Sequence, residues 1–136
     1  MSIGVGTELP TRVVDRVSIE KMKTMAALLS DPNPIHWDRT ATEALGMGPR
    51  TVNQGPINLS YVMNMLIAWA DNDPTRLRGI RLRFMSNVFE DDRVEAGGRV
   101  TAVRDVDGEQ LADCEVWLDV TGRGRALSGT AVVALA

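Results

Sequence analysis

The chain has 136 residues, of which 44% are hydrophobic and 24% charged, and its formal net charge is −3. This length is enough for one domain with its own hydrophobic core, so we expect a single domain over residues 1–136. The acidic balance and the few aromatic residues, with no basic run between them, argue against nucleic acid as a partner. The single cysteine, Cys114, excludes an internal disulfide, and with only one histidine present the usual Cys/His metal sites are excluded too.

The sequence carries no sign of export or of membrane insertion. Residues 1–6 lack the basic region and apolar stretch of a secretory signal. No segment reaches the ~18 consecutive apolar residues that a membrane-spanning helix needs. We therefore expect a cytoplasmic protein that has no membrane partner.

The first third of the chain predicts one strand and two helices. Residues 9–17 mix β-branched and charged residues, which is typical of a strand. Ser18 is a suitable cap for a helix over 19–29, where apolar residues recur at helical spacing. A short helix is expected over 38–45, and the glycines and proline of residues 46–49 end it.

A third helix, unusual in composition, is predicted over residues 57–70. Only Asn58, Ser60 and Asn64 are polar in this stretch, so apolar side chains surround nearly its whole circumference. A helix of this kind has to be enclosed by protein. At ~1.5 Å per residue it is too short to cross a bilayer but long enough for the core of a small domain.

The second half of the chain changes to an alternation of period two, which predicts strands. Asp107-Gly108 is a hairpin signal, and Gly122-Arg123-Gly124 indicates another tight turn. The predicted strands cover residues 77–84, 93–104, 110–120 and 126–135. Successive strands with short turns form an antiparallel sheet, and the apolar helix is the element available to fill its concave face. The pattern predicts an α+β fold in which a curved antiparallel sheet wraps around a long central buried helix.

The segment 31–38 combines conformational stiffness with groups that can carry protons. Pro32 and Pro34 fix their own φ angles and restrict the residues before them. The segment holds a carboxylate at Asp31 and the only histidine of the chain, His36. Because an unperturbed imidazole titrates near pH ~6.5, acid–base chemistry is the leading interpretation. The alternative is an ordinary structural turn that leads into the short helix.

The start of the apolar helix is a second candidate site. Gly55 lets the backbone approach a ligand closely, and Pro56 suits the first helical position. The first N–H groups of a helix have no partner within the helix and carry the positive end of its dipole, so they are able to hold a developing oxyanion. The alternative is a plain helix start that uses glycine and proline for geometry alone.

One family resemblance is carried by specific residues. The sequence Asp31-Pro32-Asn33-Pro34-Ile35-His36 resembles the D-x-N-P-[I/L/V]-H motif of the MaoC-like (R)-specific enoyl-CoA hydratases, which have hot-dog folds. The order of elements is similar over nearly the whole chain, although only this motif is residue-specific. The resemblance therefore implies a hot-dog fold, with the predicted sheet wrapped around the central helix.

The resemblance also implies an activity and a set of site residues. Asp31 and His36 would together bind a water molecule and add it across the double bond of a trans-2-enoyl thioester, giving the (R)-3-hydroxyacyl-CoA. Asn33 would orient the loop or the water. The backbone N–H of Gly55 would polarise the thioester carbonyl. The substrate would be an acyl-CoA of fatty acid metabolism, and the reaction would need no metal and no organic cofactor.

The chain departs from the family pattern immediately before the central helix. The family commonly has His-Gly at this point, whereas this chain has Gln54-Gly55. A glutamine still forms hydrogen bonds, but it does not titrate. Any ionic role of this position is therefore absent.

A second departure follows the first strand after that helix. The family tends to have a Pro-Val-x-Pro-Gly-Asp-like turn there. Residues 84–92 keep Phe84, Val88 and Asp92 but lack both prolines and the glycine. These departures indicate a divergent branch with its own substrate, larger than a short linear acyl chain.

The residues leave two further functions and one partner question open. The chain fits a hot-dog subunit that contributes structure or part of a site to a heteromer, and it also fits a thioesterase, since related folds hydrolyse such substrates. Because one such sheet leaves edges uncovered, we expect at least a dimer, with an identical or a different partner chain. Arg81 and Arg83 share one face of a strand and suit either the phosphates of coenzyme A or a solvated surface.

Overall fold

The computed structural model describes residues 3–136, so the part of the N-terminal expectation that concerns Met1 and Ser2 lies outside the described residues. The described chain contains three α-helices and five strands. In chain order they are β1 (Arg12–Val14), α1 (Ile19–Leu29), α2 (Arg39–Ala44), α3 (Gly55–Trp69), β2 (Leu77–Phe84), β3 (Val94–Val106), β4 (Glu109–Val120) and β5 (Gly124–Ala134). Two short 3-10 turns are added at Pro34–His36 and Pro74–Arg76.

The five strands form one antiparallel sheet in the order β1-β3-β4-β5-β2. The hairpin predicted at Asp107-Gly108 is present, with both residues at positive φ and Val106 paired with Glu109 across it. At Gly129 on β5 the backbone of β2 lies so close that a Cβ would be 1.8 Å from the carbonyl oxygen of Arg81. The predicted α+β class and antiparallel sheet are confirmed.

Helix α3 packs against the sheet and supplies much of the core. Its buried residues recur at helical spacing and share one face: Ile57, Asn58, Tyr61, Val62, Met65 and Leu66. The opposite side is more open, because Leu59, Met63 and Ile67 are half-buried and Asn64 and Ala68 are exposed. The sequence predicts that protein encloses this helix on all sides. The described chain buries one face of the helix and covers the opposite side only in part.

The predicted boundaries differ from the structure mainly at the first strand. The pattern predicted residues 9–17, but β1 covers only Arg12–Val14, with an isolated bridge between Glu8 and Arg99 before it. Pro10 lacks a backbone N–H and therefore interrupts the ladder at that point. Helix α3 begins two residues earlier than predicted, at Gly55. No helix in residues 3–136 has the length and apolar character needed to cross a membrane.

Candidate active site

The loop of residues 31–38, hereafter the acid–base loop, is anchored on the end of helix α1. Ser30 adopts a left-handed conformation with φ of 52° and closes the helix with hydrogen bonds to Ala26 O and Ala27 O. The next backbone N–H, that of Asp31, donates to Ala26 O at 2.9 Å. This helix end fixes the position from which the Asp31 side chain extends.

Two local hydrogen bonds fold the acid–base loop back on itself. The Asp31 carboxylate accepts from the Asn33 N–H at 3.0 Å, and the Asn33 side-chain oxygen accepts from the Ile35 N–H at 3.3 Å. The 3-10 turn Pro34–His36 follows. As a result, His36 Nε2 lies 3.3 Å from Asp31 Oδ2. The structure thus brings together Asp31, Asn33 and His36, and Asn33 caps the turn that carries the histidine.

The imidazole of His36 is held from its other side by a backbone carbonyl. Its Nδ1 lies 2.6 Å from Val52 O, and the residue is 9% exposed. A carbonyl oxygen only accepts hydrogen bonds, so Nδ1 carries a hydrogen. In the neutral ring Nε2 is then an acceptor, and it faces the carboxylate, which is also an acceptor. Two acceptors directed at one point suit a water molecule, because water donates two hydrogens.

Val52 belongs to residues 51–54, hereafter the linking segment, which leads into α3. The Val52 N–H donates to Ile35 O at 2.9 Å, and Val52 forms an isolated β-bridge with Phe89. The neighbouring Asn53 N–H donates to Val88 O at 2.7 Å. The acceptor for His36 is therefore held by backbone pairing on two sides.

Gly55 is the first residue of α3, three residues beyond Val52. No acceptor within residues 3–136 is hydrogen-bonded to its N–H, and no side chain caps the helix start. The Phe84 ring lies beside it, since a Cβ on Gly55 would be 3.3 Å from that ring. No hydrogen bond joins Gly55 directly to Asp31 or His36 in the part of the chain described, so the connection runs through the linking segment.

Gln54 is buried, and its side chain is hydrogen-bonded to helix α1. It is 2% exposed, and its Nε2 donates to Met22 O at 2.8 Å, which ties the linking segment to α1. Its Oε1 is buried and has no hydrogen-bond partner among the described residues. Glutamine in place of the family's histidine thus provides a structural contact here.

A buried polar cluster near the start of α3 was not predicted from the sequence. Asn53 Nδ2 donates to Asn58 Oδ1 at 2.7 Å and to the Tyr61 hydroxyl at 3.4 Å. Burial raises the pKa of Tyr61 above its usual value, which keeps the hydroxyl protonated. Asn58 appeared in the sequence as one of three polar residues on an apolar helix, which was the available signal.

A cavity of about 290 Å³ lies between α1 and α3. It is partly polar and partly apolar, and its lining residues are Lys21, Thr24, Met25, Leu28, Ile57, Ser60, Tyr61 and Asn64. Ile57 is two residues beyond Gly55, and Leu28 is three residues before Asp31. The lining residues are therefore close in sequence to both predicted parts of the site, although Asp31, His36 and Gly55 do not line the cavity.

The divergent turn of residues 88–92 is held by ion pairs between buried carboxylates and more exposed arginines. Glu90 is 3% exposed and binds the Arg39 guanidinium through both oxygens, at 2.8 and 2.7 Å. The hydrogen bond from Arg39 holds the pKa of Glu90 below its ordinary value. Asp92 forms ion pairs with Arg50 and Arg123. Asp91 adopts φ of 67°, the conformation that glycine favours, at the position where the family pattern has glycine.

The remaining sequence candidates have simpler surroundings. Arg81 and Arg83 on β2 are exposed and make no ion pair within residues 3–136. Cys114 is buried in the core, and burial raises the pKa of its thiol to about 11, which disfavours a nucleophilic role. The residues described contain no group of three or more His, Cys, Asp or Glu side chains placed to hold a metal ion.

Comparison with known proteins places this fold and site in a family. The family model described as a MaoC like domain matches residues 3–121, and the chain belongs to that family. Comparison with curated protein sequences gave no match.

Several solved structures are similar along their whole length. The (R)-hydratase from A. caviae, involved in PHA biosynthesis, is 27% identical with a TM-score of 0.83, and the match covers 99% of this chain and 98% of that one. A chain of the ChsH1-ChsH2 complex from Mycobacterium tuberculosis is 23% identical with a TM-score of 0.81, over 100% of both chains. A chain of the HadBC (3R-hydroxyacyl-ACP dehydratase) complex from M. tuberculosis is 12% identical with a TM-score of 0.78, over 98% of both. The predicted hot-dog fold is confirmed by these likenesses.

Proposed function

We propose that this MaoC-like protein is a hydro-lyase that reversibly hydrates a trans-2-enoyl-CoA, or a related acyl thioester, to the (R)-3-hydroxyacyl thioester. The observation that carries the proposal is the 3.3 Å approach of His36 Nε2 to Asp31 Oδ2, with Nδ1 fixed on Val52 O. The 27% identity to an (R)-hydratase over nearly the full length of both chains supports the same reaction class. Residues 1–136 are proposed to act as one domain.

In the proposed reaction the pair holds and activates water. The two acceptors bind one water molecule, whose oxygen bonds to C3 while the pair takes one of its protons. A proton is returned to C2, so that the elements of water are added across the double bond and no other reactant is needed. A positioned acid–base group typically contributes ~10²–10⁴-fold to a rate.

The start of α3 is proposed to stabilise the charge that develops on the thioester oxygen. During hydration this oxygen takes on enolate character. The Gly55 N–H is a donor that no group among the described residues occupies, at the positive end of a 15-residue helix. Removing one such donor typically costs about 10²–10³ in kcat.

The cavity between α1 and α3 is proposed to receive the acyl chain. Its volume of about 290 Å³ and its mixed lining suit an acyl group that is larger than a short linear chain and carries some polarity. Replacing Met25 with Trp would fill part of this space. The kcat/KM for long or branched enoyl thioesters should then fall more than that for crotonyl-CoA. Equal loss for all substrates would contradict this placement.

The functional unit is proposed to contain a second hot-dog chain, identical or different. Strand β2 is at an end of the sheet, and Phe84 and Met85 at its terminus are 54% and 48% exposed. Half-buried residues of α3 (Leu59, Met63 and Ile67) leave one side of the helix only partly covered. Two of the similar structures are complexes of different chains, by their names ChsH1-ChsH2 and HadBC. The second candidate function is that of a subunit that contributes structure, or part of the site, to a heteromer.

The test uses purified protein with crotonyl-CoA and with longer and branched enoyl-CoAs. Loss of absorbance of the conjugated thioester is expected for at least one of them. Asp31→Asn and His36→Gln should each lower the rate by about 10²–10⁴-fold. Asp15→Asn is the matched control, because this carboxylate is exposed and distant in sequence from the acid–base loop.

Other outcomes separate the alternatives. Full activity of both site variants would contradict the proposed pair. Release of free thiol would favour a thioesterase. Activity that begins only after a second hot-dog chain is added, with a matching increase of mass in solution, would favour the heteromeric subunit.

A further inference from the structure

Glu90 is buried and ionised and forms no hydrogen bond with Asp31 or His36, yet it contacts both segments that hold His36. Its carboxylate binds Arg39, the residue that immediately follows the acid–base loop. The same carboxylate accepts from the Thr51 N–H at 2.9 Å, immediately before Val52. Its own N–H donates to Thr51 O at 2.9 Å.

Through these contacts Glu90 connects the two segments that hold the imidazole. From Glu90 one branch runs through Arg39 into the end of the acid–base loop, where the Asp38 N–H donates to Pro34 O at 2.8 Å. The other branch runs through Thr51 to Val52, whose carbonyl oxygen lies 2.6 Å from His36 Nδ1. A displacement of Glu90 therefore moves the histidine's loop and its acceptor relative to each other.

We infer that Glu90, with Arg39, is a positioning residue that sets the orientation of the His36 imidazole toward Asp31. The inference rests on the proposed function for its kinetic consequence, and on geometry alone for its effect on the imidazole. A general stabilising role would lower the unfolding temperature without a specific effect on the histidine. The positioning role requires the ring to change its hydrogen bonding in a protein that is still folded.

The substitution Glu90→Gln separates the two roles. Gln retains Oε1, which accepts from the Thr51 N–H and from Arg39 Nε, but its amide nitrogen stands in place of Oε2 and faces Arg39 Nη2, donor to donor. The charge and the two-point contact with Arg39 are therefore lost. Asp91→Asn is the matched control. Asp91 is the next residue and also pairs with an arginine, Arg16, but on the surface and without contact to either segment. Asn tolerates the positive φ of this position.

The first readout does not depend on activity. Because His36 is the only histidine, its imidazole ¹⁵N signals in labelled protein are assigned without ambiguity. In Glu90→Gln the ¹⁵N signals of Nδ1 and Nε2 should shift, and the Nδ1 hydrogen should exchange faster with solvent. In Asp91→Asn they should match the wild type. Unchanged imidazole signals in folded Glu90→Gln would overturn the inference.

The second readout is the division of the effect between kcat and KM. Because small misplacements of reacting groups are costly, kcat of Glu90→Gln should fall between about 10- and 100-fold with KM nearly unchanged. Arg39→Lys, which keeps the charge but loses the two-point contact, should retain more activity than Arg39→Met. An unchanged kcat in folded Glu90→Gln, or equal activity of the two Arg39 variants, would contradict the positioning role.

Failure of this inference is distinguishable from failure of the proposed function. If the wild type hydrates no thioester, the proposed function fails while the imidazole signals still test the positioning. If Glu90→Gln does not fold, the same measurements on Arg39→Met, which leaves the Glu90–Thr51 contact in place, decide the matter. Wild-type imidazole signals in folded Arg39→Met would overturn the inference.

Discussion

At the scale of single residues, the direction of the His36 ring decides what the candidate site is able to do. With Nδ1 bonded to Val52 O, the lone pair of the neutral ring faces Asp31. The opposite tautomer would place a hydrogen between the ring and the carboxylate, and the pair would then have one acceptor fewer for water. The tautomer is therefore the chemical feature on which water binding depends.

This tautomer is directly measurable. In ¹⁵N-labelled protein with the ring neutral, Nδ1 should give a signal of the protonated, pyrrole type and Nε2 one of the unprotonated, pyridine type. The reason is that a backbone carbonyl is able only to accept from Nδ1. His36→Gln, which lacks the ring, identifies the signals. A pyridine-type Nδ1 would contradict the described geometry.

Some of the contacts in the candidate site were predictable from the sequence and others were not. The motif alone brought Asp31, Asn33 and His36 together, because its proline and Asx turns are local. The acceptor at Val52 was not predicted, since any residue supplies a backbone carbonyl. Glu90 was noted only as a departure from a family pattern, because its partner Arg39 is 51 residues away in sequence.

At the scale of elements, ion pairs stabilise the turn of residues 88–92. The family pattern would fix this turn with prolines and a glycine. Here Asp91 takes the left-handed conformation itself, and ion pairs of Glu90 and Asp92 hold the turn. Phe89 lies between the guanidinium groups of Arg50 and Arg123, with centroid distances of 5.1 and 5.0 Å. Such a turn is sensitive to acid in a way that a proline turn is not.

The sensitivity follows from the lowered pKa of Glu90, which the hydrogen bond from Arg39 causes. A carboxylate whose pKa is lower in the folded than in the unfolded state contributes stability above its unfolded pKa, ~4.3 for Glu. This contribution is lost as the pH falls through the folded pKa. At pH 7 Glu90→Gln should therefore reduce the free energy of unfolding, by about 1 kcal/mol because the partner Arg39 is largely exposed.

The measurement is urea unfolding of the wild type and of Glu90→Gln at a series of pH values. The difference between the two proteins should shrink below the ordinary titration range of a glutamate. Asp91→Asn, on the exposed side of the turn, should show a smaller difference at neutral pH. A difference for Glu90→Gln that does not change with pH would contradict the ionic account of this turn.

The elements themselves were largely predictable. Ser18 caps helix α1 where the sequence indicated, and the strand over residues 77–84 has the predicted bounds. These signals are local, either a capping side chain or an alternation of period two. The length of β1 was overestimated, because β-propensity does not register the break that Pro10 makes in a ladder of hydrogen bonds.

At the scale of the whole molecule, the central helix is only partly covered by its own chain. An apolar helix at the core of a hot-dog fold would be expected to lose its remaining exposure to a neighbouring subunit. Leu59, Met63 and Ile67 are the half-buried residues on that side. The sequence predicted enclosure but was not able to say how much of it the chain itself provides.

A second subunit on this side has a testable consequence. Met63→Asp should shift the protein, alone or with its partner chain, toward the monomer, because a charge would have to be buried in the interface. Light scattering at several protein concentrations measures the mass. Asn72→Asp, which adds the same charge at an exposed turn position beyond the end of α3, is the control. An unchanged mass for Met63→Asp would exclude this side of α3 from the interface.

The most direct measurement of the central claim follows the oxygen atom of water. In H₂¹⁸O, the wild-type protein should convert an enoyl-CoA to a product with one heavy oxygen on C3 and the thioester intact. Asp31→Asn and His36→Gln should incorporate it far more slowly. Heavy oxygen in a released carboxylate, or equal incorporation by the wild type and both variants, would contradict the proposal that this pair activates water for hydration.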